Sequence, residues 1–200
     1  MRVNGFVAPA GVDEAGRGCL FGPVAAAAVI LPSGCRIPGI RDSKIVPEPE
    51  RLQLSRRIRE DAIAYSIAFA SVEEILAINI LQASRLAMRR AVEGLHPQPD
   101  FLLVDFLKID LPIPQENLVK GDAISKSIAA ASILAKVERD TLLADLHRLY
   151  PEYGLASNKG YGTPEHLEAL SKYGPTPHHR AGFAPVRALI ECRGQQERLQ

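Results

Sequence analysis

Apolar and polar positions along this 200-residue chain switch repeatedly between strand-like and helix-like spacing. Residues 6–12 read as a strand, and residues 22–31, a run of small and β-branched side chains stopped by Pro32, read as a second. The stretch between them, Asp13-Glu14-Ala15-Gly16-Arg17-Gly18, is too short to hold a helix, which predicts antiparallel neighbours. Residues 33–47 contain Gly34, Pro38, Gly39 and Pro47 and predict a loop. Residues 48–61 set Leu52, Leu54 and Ile58 among four arginines and predict a solvated amphipathic helix; residues 62–70 alternate in part and predict a third strand. Over 73–93, Ile75, Ile78, Leu81, Leu86 and Met88 form a helical stripe that His96-Pro97-Gln98-Pro99 ends. Phe101-Leu102-Leu103-Val104, a continuous apolar run ending at Asp105, has the pattern of a buried strand, and another short strand is predicted near 117–119. Ile128, Ala131, Leu134 and Val137 predict one long helix from 124 to about 149. Beyond it lie a glycine-rich loop, Asn158-Lys159-Gly160-Tyr161-Gly162, and helical stretches around 165–172 and 185–192. This order predicts an α/β fold, a mixed sheet with helices packed on it, in a single domain over 1–200 whose part from about 151 is helical.

Composition adds exclusions. With 46% hydrophobic and 24% charged residues the chain reads as globular, and the longest apolar run, 23–32, is about half of what a membrane span needs. The opening Met-Arg-Val-Asn-Gly lacks the apolar block of a signal peptide. Three cysteines, Cys19, Cys35 and Cys192, are an odd number without paired spacing, so neither a disulfide framework nor a zinc site is expected and the reducing cytoplasm is the expected compartment. Nothing suggests a coiled coil or an obligate interface, and a monomer is expected. A formal charge of +1, from 24 Lys+Arg against 23 Asp+Glu, argues on its face against a nucleic-acid binder.

The chemistry lies in acids placed where elements change. Asp13 and Glu14 directly follow the first strand; Asp13 caps the turn, or the pair is a ligand set, since adjacent acids that are partly buried need a cation. Asp105 ends an apolar strand, where open α/β sheets bind ligands, or is a terminating surface residue. Asp122 opens the long helix, as an N-cap or as a fourth acid. Together they offer hard oxygen donors suited to Mg²⁺ or Mn²⁺, and hence phosphoryl transfer or phosphodiester hydrolysis. Asp140 lies about 27 Å from Asp122 along an unbroken helix and is set aside. Gly16-Arg17-Gly18 is a plain tight turn or a cradle for a phosphate or a sugar hydroxyl, and Tyr161 is a loop anchor or a stacking and hydrogen-bonding group. His178-His179-Arg180 reads as a surface or duplex-facing loop, Cys19 as a small buried residue, Asn79-Ile80 and Ala87-Met88 as helix packing, and Arg51, Arg56, Arg57 and Arg59 as a solvated or backbone-contacting face.

Gly11-Val12-Asp13-Glu14-Ala15-Gly16-Arg17-Gly18, Asp42-Ser43-Lys44, Lys120-Gly121-Asp122, the stretch from Ser127 to Lys136, Arg139-Asp140, Gly160-Tyr161-Gly162-Thr163 and His166 closely resemble prokaryotic type 2 ribonuclease H, ribonuclease HII, from about residue 8 to 190. The resemblance implies a ribonuclease H-like fold with a five-stranded mixed sheet flanked by helices. It implies endonucleolytic cleavage of the RNA strand of RNA–DNA hybrids and incision at single ribonucleotides embedded in duplex DNA, leaving 3′-hydroxyl and 5′-phosphate ends. On its motifs, Asp13, Glu14, Asp105 and Asp122 are the catalytic acids and the ligands of two Mn²⁺ or Mg²⁺ ions. Gly16, Arg17, Gly18 and Tyr161 read the ribose 2′-hydroxyl, and Lys44 contacts phosphate. The expected roles are in ribonucleotide excision repair and DNA replication. Two departures stand out: Phe106 follows the third acid where many bacterial members have glycine, and Ile45-Val46-Pro47 follows Lys44 where the family continues with Lys or Arg and Leu. The rivals are a catalytically silent hybrid-binding protein and a nuclease acting on all-DNA junctions; the unbroken set of four acids speaks against the first.

Overall fold

The computed structural model describes residues 5–40, 43 and 45–197. Strands β1 (Pro9–Ala15) and β2 (Val24–Ile30) pair antiparallel, with Ala10 opposite Ile30 and Ala15 opposite Ala25. Helix α1 (Glu48–Asp61) leads to β3 (Ala64–Ala70), and α2 (Val72–Glu93) to β4 (Phe101–Asp105), which lies parallel to β1; β5 (Gln115–Leu118) is parallel to β4. The five strands form one mixed sheet in the order β3-β2-β1-β4-β5, as expected. Every residue of β2 is fully buried. A strand covered on both faces is held by burial, so four consecutive alanines do not unmake it despite their poor strand propensity.

Three local expectations change. β1 runs through Asp13 and Glu14, because its ladder with β2 continues to Ala15, so the two acids lie in the strand and not after it. α2 is interrupted at Asn79, at φ 66° and ψ 164°. The Oδ1 of Asn79 accepts the N–H groups of Leu81 and Gln82 at 3.0 and 3.2 Å, capping the second half of the helix from within. Asn79 is exposed and caps, while Ala87 and Met88 pack fully buried as expected. The predicted long helix is two: α3 (Gly121–Ile124) and α4 (Lys126–Leu149), separated at Ser125, which is extended at φ −116° and ψ 125°. The Ser125 N–H still donates to Gly121 O at 2.7 Å and its hydroxyl accepts the N–H of Ile128 at 3.5 Å, so a serine cap restarts the helix. The 27 Å separation assigned to Asp122 and Asp140 required an unbroken helix and lapses with this break.

Two compact units are distinguished by their internal contacts: the chain to Ala15 with Ala25–Phe69 and Ser84–Glu138, and Gly16–Val24 with Ala70–Ala83 and the chain from Arg139. In the first, Leu54 and Ile58 of α1 and Ala130, Ile133, Leu134 and Val137 of α4 cover Ala27 and Val29 of β2. Each buried Leu or Ile contributes about 1.5–3 kcal/mol. Here α1 is more than a solvated face, because buried Arg51 donates to the carbonyls of Ser43 and Val46 at 2.7 and 3.0 Å. Gly11 is required in β1: a Cβ there would lie 2.1 Å from the carbonyl carbon of Ser127, so the first turn of α4 rests on the strand backbone itself. In the second unit, Phe21 packs with Leu143, Leu146, Tyr153, Leu155 and Ala169, and Leu20 with Leu170 and Val186. That unit also contains α5 (Leu155–Asn158), α6 (Pro164–Tyr173) and α7 (Ala184–Glu197); the Thr163 hydroxyl caps α6 by accepting the His166 N–H at 3.3 Å.

Candidate active site

The first group of predicted residues lies in the first unit. The parallel register Val12↔Val104 sets Asp13 beside Asp105, the last residue of β4. Asp105 Oδ1 accepts the N–H of Gly121 at 2.7 Å, which fastens the turn carrying the buried Asp122 to the end of that strand. Lys120, at φ 56°, makes the turn, and a Cβ on Gly121 would come within 2.5 Å of Ile128 Cδ1. Phe106, directly after Asp105, takes φ 57°. The position therefore has the left-handed backbone that glycine favours, and an exposed phenylalanine occupies it at a local cost of about 1–2 kcal/mol.

Asp13 is 5% exposed and accepts the Glu14 N–H at 2.7 Å. Burial, then the charges of Glu14 and, more weakly, Asp105, push its carboxyl well above the usual carboxylate range, against hydrogen bonds from the Ser132 hydroxyl and the Glu14 N–H. Among the described residues, no three Asp, Glu, His or Cys side chains gather closely enough to hold an ion. The donor chemistry nonetheless fits one: these are hard carboxylate oxygens, and burial, then the neighbouring acids, makes charge on Asp13 unfavourable, a cost that a divalent cation relieves.

The second group lies in the second unit. Gly16 adopts φ 94°, and a Cβ on it would sit 2.0 Å from the Nε of Arg139. Buried Arg139 donates to the carbonyls of Phe21, Pro23 and Lys159 at 2.9, 3.1 and 2.9 Å. Buried Arg180 donates to those of Arg17, Gly22 and Pro23 at 2.9, 2.8 and 3.1 Å. Burial, then the neighbouring Arg139 charge, lowers the Arg180 pKa to about 10, so it remains cationic at neutral pH. Tyr161 is 44% exposed, and its ring lies 3.9 Å from where a Gly18 Cβ would be, so the structure brings the tyrosine and the turn together. Burial first, then Cys19, pushes the Tyr161 hydroxyl above its ordinary pKa, which keeps it a neutral donor. Cys19 is fully buried, as expected, with its Sγ 3.6 Å from the Lys159 carbonyl. Lys44 and Asp42 lie outside the described residues, while Ser43 between them is buried with its hydroxyl 2.8 Å from that of Ser132.

One expectation is reversed. His179 and Arg180 do not form a surface loop; they are 3% and 1% exposed. The physical reason is an antiparallel bridge between Phe21 and His179, with the Arg180 N–H donating to Leu20 O and the Gly22 N–H to His178 O, each at 2.8 Å. Arg139, Arg180, His166 and His179 were given no positioning role by sequence reasoning.

Comparison with known proteins shows the family and the fold to which the chain is similar. A family model described as Ribonuclease HII matches residues 10–186. The chain is 55% identical over 190 residues to ribonuclease HII of Desulfitobacterium hafniense (strain DSM 10664 / DCB-2), covering 94% of this chain and 73% of that protein. It is 57% identical over 177 residues to ribonuclease HII of Koribacter versatilis (strain Ellin345), covering 88% and 70%. The crystal structure of ribonuclease H2 from Pyrococcus horikoshii OT3 matches with a TM-score of 0.80 at 25% identity, covering 92% of this chain and 98% of that one.

Proposed function

The chain belongs to the ribonuclease HII family, nucleases with ribonuclease H activity on RNA–DNA hybrids, and from that premise we propose that it also incises on the 5′ side of single ribonucleotides embedded in duplex DNA, leaving 3′-hydroxyl and 5′-phosphate ends. Asp13, Glu14, Asp105 and Asp122 act as catalytic acids that hold two Mg²⁺ or Mn²⁺ ions. When bound, such ions lower the pKa of water and offset charge on the leaving oxygen. Asp13 and Asp105 supply oxygen donors from adjacent strand ends, and Gly121 fixes Asp105 so that it need not reorganise. Gly16, Arg17 and Gly18 with Tyr161 check the ribose 2′-hydroxyl, the group that separates RNA from DNA, and Lys44 contacts the phosphate backbone. The chain works as one catalytic domain, as a monomer, in the cytoplasm, in the repair and replication of DNA. Among the described residues no helix is long and apolar enough to cross a membrane.

The burial of Asp13 on the strand beside the one that Asp105 ends, with Glu14 next to it, carries this reading, since a protein that only bound nucleic acid would gain nothing from carboxylates beside phosphate. Asp13→Asn keeps the shape and removes a ligand charge. It is expected to abolish cleavage of a duplex with one embedded ribonucleotide in Mg²⁺ or Mn²⁺, a loss of at least about a thousandfold, while hybrid binding persists. Full activity in that variant, or equal cleavage of the all-DNA counterpart by the unaltered protein, would overturn it.

A further inference from the structure

His166 and His179 are both buried, and the hydrogen bonds around them fix where each proton sits. The backbone N–H of Thr176 donates to Nδ1 of His179 at 3.0 Å, so that nitrogen presents its lone pair. Burial, then His166 and His178, hold the His179 pKa down to about 3, so the ring is neutral and its single proton is on Nε2. That nitrogen lies 3.3 Å from Nε2 of His166, which must therefore accept. The His166 proton is left on Nδ1, 2.8 Å from the carbonyl oxygen of Tyr161, to which it donates. The chain runs in one direction, from Thr176 N–H through His179 and His166 to the Tyr161 carbonyl.

The relay has fixed ends. The His179 ring meets Phe21 edge-on, with centroids 4.7 Å apart at 81°, and Tyr153 at 4.8 Å and 64°, contacts that hold its orientation. Phe21 belongs to the segment that continues the Gly16–Gly18 turn and is bridged to His179 through the backbone. The Leu20 N–H also donates to Gly160 O at 2.8 Å, next to Tyr161. Two apolar residues in place of the histidines would fill the space but leave the Tyr161 carbonyl without this donor.

We propose that His166 and His179 form a one-way hydrogen-bond relay that sets Tyr161 against the Gly16–Gly18 turn, making both histidines positioning residues for recognition of the ribose 2′-hydroxyl. The proposal rests on the reading of Tyr161 as the residue that checks that hydroxyl. Neither histidine touches substrate; each acts through the tyrosine backbone.

A double-mutant cycle separates this role from a merely structural one. On a DNA duplex with one embedded ribonucleotide, His166→Leu is expected to lower kcat by about ten- to a hundredfold with little change in KM, as a misplaced positioning group does. His166→Asn, which keeps an N–H donor near the Nδ1 position, should recover most of the loss. In a Tyr161→Ala background, His166→Leu should cost less than about twofold more, because the residue it acts through is gone. Equal losses in both backgrounds would overturn the relay while leaving Tyr161 in its role. Wild-type cleavage by Tyr161→Ala would overturn the reading of Tyr161 and the relay's function with it. Should His166→Leu fail to fold, nitrogen-15 NMR of the unaltered protein decides: the relay requires Nε2–H on His179 and Nδ1–H on His166, and any other tautomer overturns it.

Discussion

Loss of Arg139 is costly in the second unit, and the cost can be worked atom by atom. Its guanidinium donates to Phe21 O, Pro23 O and Lys159 O, joining the segment after the Gly16–Gly18 turn to the segment before Tyr161. In Arg139→Met the volume is roughly kept and all three bonds go. Pro23 O retains Arg180 at 3.1 Å and Lys159 O retains the Cys19 thiol at 3.6 Å, while Phe21 O loses its buried donor. A buried carbonyl left unpaired costs about 1–3 kcal/mol and each partly compensated bond about 0.5–1.5 kcal/mol. Removing a buried cation returns part of this, since its own desolvation cost disappears. The balance is a loss of about 3 kcal/mol, or about 6–12 °C in Tm for a chain of this size. Urea unfolding measures it, with the m-value unchanged if only the folded state is affected. Arg139→Lys, whose single ammonium cannot match the three-acceptor fork, should fall between. If Arg139→Met lost less than about 1 kcal/mol, the guanidinium would not be what holds the two segments together.

Other outcomes follow from single contacts. Gly11→Ala places a Cβ within 2.1–2.4 Å of the Ser127–Ile128 backbone, so it should cost at least about 3 kcal/mol, seen as a collapse of Tm or of folded yield; an unchanged Tm would show that α4 does not rest on β1. Phe106→Gly relieves a left-handed phenylalanine and should raise stability by up to about 1 kcal/mol in urea titration, after the extra entropy of an unfolded glycine is deducted. His179 has its folded pKa lowered to about 3 from an unfolded value of 6.5, so below pH 6.5 the unfolded state binds the additional proton and stability falls as pH drops from 6.5 toward 3. The urea-derived stability at pH 5 should therefore be up to about 2 kcal/mol below that at pH 7, and His179→Phe should remove that part of the difference; an unaltered pH profile in the variant would refute it.

The sheet was legible because it rests on runs that burial alone explains: the apolar run at 101–104 and the small-residue run at 24–30 became β4 and β2. The place of Asp105 was legible because the apolar run before it ends there, whereas β1 runs on through Asp13 and Glu14. Breaks inside helices were less so. Asn79 and Ser125 are compatible with an apolar helical stripe, and only the completed backbone shows their side-chain oxygens capping a new start. Phe106 hid a glycine-type backbone behind a side chain that gives no sign of it. Least legible were Arg139 and Arg180, because their partners are backbone atoms up to about 160 positions away in the chain, as from Arg180 to Gly22, and no pattern of side chains encodes a distant carbonyl.

The charge balance that looked unfavourable for a nucleic-acid enzyme depends on where the charges lie. A formal +1 adds 24 basic to 23 acidic residues without regard to place. On the proposed assignment of four acids to one cation site, 24 basic residues stand against 19 acidic ones, a mildly basic remainder of the kind that attracts a phosphate backbone. Arg139 and Arg180 belong to that remainder. The acceptors of their guanidiniums are carbonyl oxygens, which carry partial charge, and so their full charges are not cancelled by carboxylates where they hold the glycine turn and the Tyr161 segment. Burial weakens such a charge only if it drives deprotonation, and Arg180, with a pKa of about 10, stays cationic at neutral pH. The Gly16–Gly18 turn is thus built on two buried positive charges, and the first unit sets the charges of Glu14 and Asp105 against a buried Asp13.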